Sequence, residues 1–227
     1  MATQKLFDDW PERYDQWFTT PIGRLIKEYE GALIGELLCP GPGERILDAG
    51  SGTGIFTRDF LLAGARVVGL EISAPMLHLA RKKAGNHHFL GVQGDMLSLP
   101  FCDNAFDKTV SVTALEFISD ARRSIDELFR VTRRGGLVVA ATLNSLSPWA
   151  ARRKAKTLRG QKHILKDAFF RSPQELLSCG PSDGITKTAI HFDKEDSPED
   201  AAEKEIRGRS LDLVTGAFVA VCWQKIG

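Results

Sequence analysis

Five short, largely apolar segments, at residues 45–50, 66–71, 89–93, 106–113 and 137–142, alternate with stretches of helical character. This rhythm narrows the fold more than any other feature of the chain. A strand that is apolar along its whole length has both faces covered, the condition of a parallel sheet between two helical layers. The helical stretches carry their own punctuation. Apolar side chains at Ile22, Leu25, Ile26, Tyr29, Leu33 and Leu37 predict a helix over 22–38 with one buried face, stopped by Cys39-Pro40-Gly41-Pro42-Gly43. A second helix is expected over 54–63, ending at Gly64. Ser73 caps a third, with Pro75 in its first turn and Gly85 just past its end. A fourth starts at Ser119, carries Ile125, Leu128 and Phe129, and closes with Arg133 and Arg134, which suit the negative end of a helix dipole.

Beyond residue 143 the alternation breaks. Residues 144–171 read as a long basic connection. Ser172-Pro173-Gln174-Glu175 is a capping box that restarts a helix. A strand is expected over 185–192, then an acidic stretch over 193–205, then a final strand over 213–224. With no helix read between them, these two strands are expected to pair antiparallel at one edge of the sheet.

The length of 227 residues allows one medium α/β domain or two small ones, with a core large enough to need no disulfides. Hydrophobic residues at 43% and charged residues at 26% are those of a globular, water-soluble chain. Thirty basic residues against twenty-nine acidic ones give a net charge of +1, which argues against a strongly basic nucleic-acid binder. The four cysteines, Cys39, Cys102, Cys179 and Cys222, form no C-x-x-C pair, so neither a disulfide framework nor a zinc site is expected. Isolated thiols suit a reducing compartment. The N-terminal residues have no apolar signal-like core, and no run approaches the ~20 apolar residues of a membrane helix. A cytoplasmic location is the expectation.

Chemistry concentrates in Leu47-Asp48-Ala49-Gly50-Ser51-Gly52-Thr53-Gly54, at the first strand-to-helix turn. Ligands of open α/β sheets bind beyond the carboxyl ends of the strands, and glycine lets a ligand approach the main chain. Such a turn also arises from tight packing alone. A dinucleotide fingerprint would need glycine at position 55, where the chain has Ile55, and no Lys-Ser/Thr follows to make a P-loop. The pattern is G-x-G-x-G preceded by Asp48.

With these residues the sequence resembles the class I S-adenosylmethionine-dependent methyltransferases. Among them it is similar to the small-molecule group that includes the ubiquinone and menaquinone biosynthesis methyltransferases. The matching pieces run from Phe7 through Tyr14-Asp15 to L-D-A-G-S-G-T-G, V-V-G-L-E-I-S, G-D-M-L-S-L-P-F, F-D-K-T-V-S-V-T-A-L-E-F and R-R-G-G-L-V-V. They cover roughly residues 7–143 and thin out afterwards. The resemblance implies a three-layer Rossmann-like fold with strand order 3-2-1-4-5-7-6 and strand seven antiparallel. It further implies one methyltransferase domain over 1–227: an N-terminal helical lid at 1–40, a cofactor-binding half at 41–143, a basic cap insertion at 144–171, and a C-terminal helix with edge strands at 172–227. The cofactor implied is S-adenosylmethionine, leaving as S-adenosylhomocysteine after in-line transfer of its methyl group.

Site residues follow from the same resemblance, each with a physical reason. Glu71, ending the second strand, is suited to accept both ribose hydroxyls. Ile72 offers an apolar surface to adenine. Asp95, beside Met96, suits the adenine amino group as an acceptor. Gly50, Ser51 and Gly52 form the loop, while Asp48 and Thr113 lie near the cofactor's ammonium. Positioning does most of the work in such a transfer, and a general base is needed only for some acceptors. The candidates for that base are Tyr14 and Glu116. Trp10, Trp17 and Phe18 are expected to close over the cleft. Trp17, Trp149, Arg152 and Arg153 are expected to meet the acceptor.

The 144–171 segment also holds Lys154, Lys156, Arg159, Lys162 and Lys166, with no acid between Trp149 and Asp167. That local positive field suits a small-molecule acceptor that is anionic or carries an anionic handle. A solvated helix face balanced by 193–205 explains the same charges. No metal is expected, since His87 and His88 are adjacent and diverge. Methylation of nucleic acid is disfavoured because Thr113-Ala114-Leu115-Glu116-Phe117 stands where amino-base methyltransferases carry Asn/Asp-Pro-Pro-aromatic. Methylation of protein, and a cofactor-binding partner subunit without catalysis, stay open as functions.

Overall fold

A computed structural model describes residues 7–8, 11–85, 87–158 and 165–226. Its centre is a seven-stranded sheet of order β3-β2-β1-β4-β5-β7-β6. The strands are β1 (Arg45–Ala49), β2 (Arg66–Glu71), β3 (Phe89–Gln93), β4 (Phe106–Val112), β5 (Thr132–Leu143), β6 (Ile185–Ala189) and β7 (Phe218–Gln224). β7 runs antiparallel to both its neighbours, and the pairings among β1 to β5 are parallel. Strand order and the reversed seventh strand are as the sequence implied.

Side chains alternate between two cores. On β5 and β7, Val139, Ala141, Phe218, Ala220 and Cys222 join one cluster. Their neighbours Val138, Ala140, Val219, Val221 and Trp223 join the other. Over the first cluster lie α2 (Pro21–Leu38) and α3 (Thr57–Leu62), preceded in the chain by α1 (Pro11–Trp17). Over the second lie α5 (Ala121–Val131) and α7 (Pro173–Leu177). The remaining helices are α4 (Ala74–Ala84), α6 (Pro148–Leu158) and α8 (Pro198–Ser210). None of the helices is long and apolar enough to cross a membrane among the described residues.

Most helix boundaries follow their chemistry. Thr20 caps α2 by accepting from the Gly23 N–H, with Pro21 in the first turn. Ser73 caps α4, and Gly85 follows it at φ 55°. The capping box before α7 has both reciprocal bonds, Glu175 N–H to Ser172 Oγ and Ser172 N–H to Glu175 Oε2. α3 is shorter than the 54–63 expected.

Four expectations are corrected. The cap of α5 is Asp120 rather than Ser119, its Oδ1 accepting from the Arg123 N–H at 3.0 Å. Arg133 and Arg134 belong to β5, where Arg133 Nε donates to Asp107 at 2.7 Å. The 144–171 connection contains a helix, α6. Most consequentially, the acidic stretch folds as α8, so the last two strands are not consecutive. The two strands still pair antiparallel as expected, with β6 at that edge of the sheet and β7 one strand in. α8 starts at the Ser197 cap with Glu199 and Asp200 in its first turn and ends with Arg207 and Arg209 in its last, a charge order matched to the helix dipole. Its buried residues are Ala201, Glu205 and Gly208. A Cβ on Gly208 would sit 2.2 Å from the His191 ring. The helix therefore packs by closeness, and no apolar periodicity announces it.

Trp223 is the largest side chain fully buried in the second core. Its ring meets Phe129 edge-on at 6.1 Å, and its Nε1 has no hydrogen-bond partner. Trp223→Ala is expected to cost about 3–5 kcal/mol, read by denaturant unfolding, as large-to-small core changes do. Trp223→Phe gives up no hydrogen bond and should cost less than half of that.

Candidate active site

The site is built where β1 and β2 end together. β1 runs into Gly50, whose N–H donates to the Leu70 carbonyl at 2.7 Å, and the Ser51 N–H donates to the same oxygen at 3.0 Å. Gly50 has φ 78°, and a Cβ there would come within 2.4 Å of Ala114 Cβ, so no other residue fits. Gly52 differs. Its φ is 54°, but a Cβ there would meet nothing within 4 Å, and the residue lines a cavity. Its missing side chain leaves space rather than preventing a clash.

Glu71 ties this loop down. Its Oε2 accepts from the Gly52 N–H and its Oε1 from the Ser73 N–H, both at 2.9 Å. The side chain is buried, which pushes its pKa up, while the two backbone donors pull it back. Asp48 is buried at the end of β1 and accepts from the Thr57 hydroxyl at 2.5 Å. Burial pushes its pKa up to about 7. The Ser51 hydroxyl has no partner and lies against Gly69, so Ser51 offers its main chain to the loop. Asp95 is exposed, with Oδ1 accepting from the Leu97 N–H at 2.9 Å, and Met96 beside it is buried.

The cavity beyond these strand ends measures about 640 Å³, within the range of small-molecule sites. Tyr14, Trp17, Asp48, Gly50, Ser51, Gly52, Glu71, Ile72, Asp95, Met96, Thr113, Glu116, Trp149 and Arg153 all line it. Arg152 does not. It pairs with Asp193, half exposed, because it lies one residue round α6 from Arg153 and so faces outward. Of the basic run, the Lys156 side chain, Arg159 and Lys162 lie outside the described residues, and so does Trp10.

The N-terminal segment covers the wall formed by these strand ends. The Asp8 carboxylate accepts from the Ser73 hydroxyl at 2.8 Å, and Phe7 meets Phe117 edge-on at 4.8 Å across the cleft. Asp15 on α1 accepts from the Thr53 hydroxyl at 2.6 Å and pairs with Lys83 on α4. Further along α1, Trp17 and Tyr14 both pack edge-on against Phe18.

A second wall gathers buried polar groups. The Tyr14 hydroxyl bonds the Thr113 side chain, and burial pushes its pKa well above the usual phenol value. Glu116 is buried and accepts from the Thr142 hydroxyl at 3.0 Å; burial raises its pKa to about 7 although Arg171 and Arg153 pull against it. Arg171 positions this turn, donating to the carbonyls of Leu115 at 2.8 Å and Ile118 at 2.6 Å. Glu30, on α2, is a site residue that the sequence patterns did not single out. It is buried, lines the cavity, and stands on the same helix face as Ile26 and Leu33. A lone carboxylate in that apolar stripe was the available signal. Lys194 was not singled out either; it lies over the Trp149 ring at 4.9 Å.

Burial, then the nearby Glu116, raise the Glu30 pKa from 4.5 to about 8. Between these values the folded protein holds a proton that the unfolded chain has released. Stability therefore falls as pH rises through this window, by up to ~1.4 kcal/mol per pH unit. Glu30→Gln removes that dependence. Relative to the parent, the variant should gain a few kcal/mol on going from about pH 5 to about pH 9. Denaturant unfolding at both pH values checks it, and parallel pH slopes would place the carboxyl in solvent.

Residues 47–140 match the family described as a methyltransferase domain. The malonyl-(acyl-carrier protein) O-methyltransferase of Serratia marcescens is 36% identical over 138 residues, 61% of this chain and 52% of that protein. The demethylmenaquinone methyltransferase of Renibacterium salmoninarum is 32% identical over 143 residues, 60% of this chain and 56% of that protein. The matches thus span about half the length of these curated relatives. Among solved structures, a SAM-dependent methyltransferase from Thermotoga maritima, described as a possible histamine N-methyltransferase, superimposes with a TM-score of 0.70. Its sequence identity is 21%, and the match covers 98% of this chain and 99% of that one. The geranyl diphosphate C-methyltransferase of Streptomyces coelicolor A3(2) superimposes with a TM-score of 0.59 at 18% identity, covering 87% and 78% of the two chains. The chain therefore shares the Rossmann-like fold of these solved structures, and its residues 47–140 match the methyltransferase-domain family.

Proposed function

We propose that the protein transfers the methyl group of S-adenosylmethionine to a small-molecule acceptor. The observation that carries this reading is the cavity's division into two chemically different walls under one N-terminal cover. One wall is backbone and acids at the strand ends, from within residues 47–140. The other is aromatic and aliphatic, with Tyr14, Glu30 and Glu116 set into it, and comes largely from outside that range.

The residues of the first wall fit the cofactor. Open space at Gly52 admits it against the main chain. Glu71 keeps acceptor lone pairs for two ribose hydroxyls while it holds the loop, since each carboxylate oxygen can accept more than one bond. Ile72 and Met96 offer apolar contact for adenine, and Asp95 an acceptor for its amino group. Asp48 and Thr113 stand beside the loop for the ammonium. When bound, the cofactor supplies a methyl carbon activated by the positive sulfur. The chain's own part is to align the acceptor, exclude water and take up a proton where the acceptor has one to lose. Tyr14 and Glu116 line the acceptor side of the cavity. Tyr14 serves as a hydrogen-bonding guide rather than a base, because burial holds its phenol protonated. Arg153 is the residue of the basic run placed to meet an anionic handle on the acceptor. The lid role of residues 1–40 rests on the Asp8, Asp15 and Phe7 contacts, and a cytoplasmic setting on four free cysteines.

Calorimetric titration with S-adenosylhomocysteine tests the cofactor assignment. Glu71→Ala should weaken binding about ten- to a hundredfold, the loss of a charge-assisted acceptor worth ~1.5–3 kcal/mol. A bulky side chain in the open space, Gly52→Val, should abolish binding in a protein whose circular dichroism still shows the fold. Normal affinity in both variants would move the cofactor elsewhere. Asp15→Ala releases Thr53 and Lys83 together. It should speed S-adenosylhomocysteine dissociation about tenfold in stopped-flow chase, for a cover bond worth ~1–1.5 kcal/mol. An unchanged rate would mean that ligand leaves without the cover opening.

A further inference from the structure

Resting on the methyltransferase reading above, we propose that the acceptor is an amine, and that Glu30 is the residue that binds its ammonium and takes its proton. The inference starts from a carboxyl group with no protein partner. Glu30 is 6% exposed, lines the cavity, and has no hydrogen bond to any described residue. Buried carboxyls in native proteins are paired or hydrogen-bonded, and an orphan aimed into a cavity marks a place for a ligand donor.

The charges around it decide the kind of donor. Lys27, one turn back on α2, is already joined to Asp59 at 2.5 Å. Glu116 brings a second acid close, and Arg153 and Arg171 act on Glu116 rather than on Glu30. Tyr14 adds no positive charge. Lys27 pulls the Glu30 pKa down, but no cation among the described residues is bonded to Glu30 itself. A hydroxyl leaves Glu30 as the neutral acid, whereas a protonated amine brings the positive charge that lets the carboxyl give up its proton and pair as an ion.

The same pairing leads into the reaction. Burial and the neighbouring acid raise the Glu30 pKa to about 8, so in this apolar wall the neutral acid is favoured over the ion. When the ammonium binds, Glu30 releases its proton to solvent; the carboxylate so formed then takes a proton from the ammonium, and the nitrogen lone pair so freed forms the new bond to the methyl carbon. The electron pair of the broken carbon–sulfur bond stays with sulfur. The methylated amine leaves positively charged, with the proton held on Glu30 until it is lost to solvent.

Phenethylamine, 2-phenylethanol and 3-phenylpropionate share a size and an aromatic end and differ in charge. Each is titrated calorimetrically into the parent protein and into Glu30→Gln, both saturated with S-adenosylhomocysteine. The amine should bind the parent at least tenfold more tightly than either analogue. Glu30→Gln should lose that preference while its affinity for S-adenosylhomocysteine stays within twofold. Equal binding of the three compounds, preference for the carboxylate, or no amine binding to the loaded protein overturns the assignment and leaves the cofactor reading intact. A large loss of S-adenosylhomocysteine affinity in Glu30→Gln assigns Glu30 to the cofactor instead, and also overturns it. Failure of the parent to bind S-adenosylhomocysteine at all removes the reading on which it rests.

Discussion

The end of β2 organises the site. Within two residues it supplies acceptors for four backbone N–H groups: the Leu70 carbonyl takes those of Gly50 and Ser51, and the Glu71 carboxylate those of Gly52 and Ser73. The first loop and the start of α4 are thereby fixed to one strand end. This places a carboxylate at the cavity wall and leaves open space beside the Gly52 backbone. Gly50 makes the arrangement possible, because its backbone passes so close to Ala114 that a side chain could not be accommodated. Burial pushes the Glu71 pKa up, and the two N–H donors pull it back.

From this fixed end the cavity is completed by parts of the chain that have no place in the sheet's parallel half. α1 and α2 come from before β1, and Trp149, Arg153 and Phe170 come from the crossover between β5 and β6. α2 is held by its buried face in the first core, and the crossover by a few directed bonds. Asn144 ties the start of the crossover to the turn before β7, donating to the Val214 and Gly216 carbonyls. Trp149 donates to the Phe192 carbonyl at 2.8 Å, and Arg171 grips the turn that carries Glu116. A wall of fixed strand ends and a separately anchored second wall can change independently, which is how one scaffold serves many ligands.

What could be read from the sequence depended on whether a residue's role was local. Strand ends, caps and the glycine turn are decided by neighbours within a few positions, so the sheet order implied by the motifs, the capping box at Ser172 and the cap at Ser73 all appear as expected. α8 went unread because its contact with the sheet runs through Ala201 and Gly208, small residues that create no apolar stripe. Arg152 and Arg153 are one residue apart and chemically identical. Only the roll of α6 sends one to Asp193 and the other into the cavity, and a count of basic residues contains no information about that roll. Glu30 was legible in principle, as the one acid among Ile26, Leu33 and Leu37, but an acid on a helix reads as surface until its face is known.

The acids of the cavity also bear on catalysis as a group. A fixed set of carboxylates would hold a sulfonium firmly in the ground state, and the positive charge on sulfur is lost as the methyl group departs. Interactions that favour the reactant over the transition state slow a reaction rather than speed it. The raised pKa values relieve this conflict. Asp48 and Glu116 near 7 and Glu30 near 8 are poised to hold or release a proton around neutrality, so the cavity's charge can adjust to what occupies it. The cause is the same for all three, burial with few compensating donors. It follows from placing acids on elements whose other residues form the core. The apolar packing that builds the walls is thus also what sets their electrostatics.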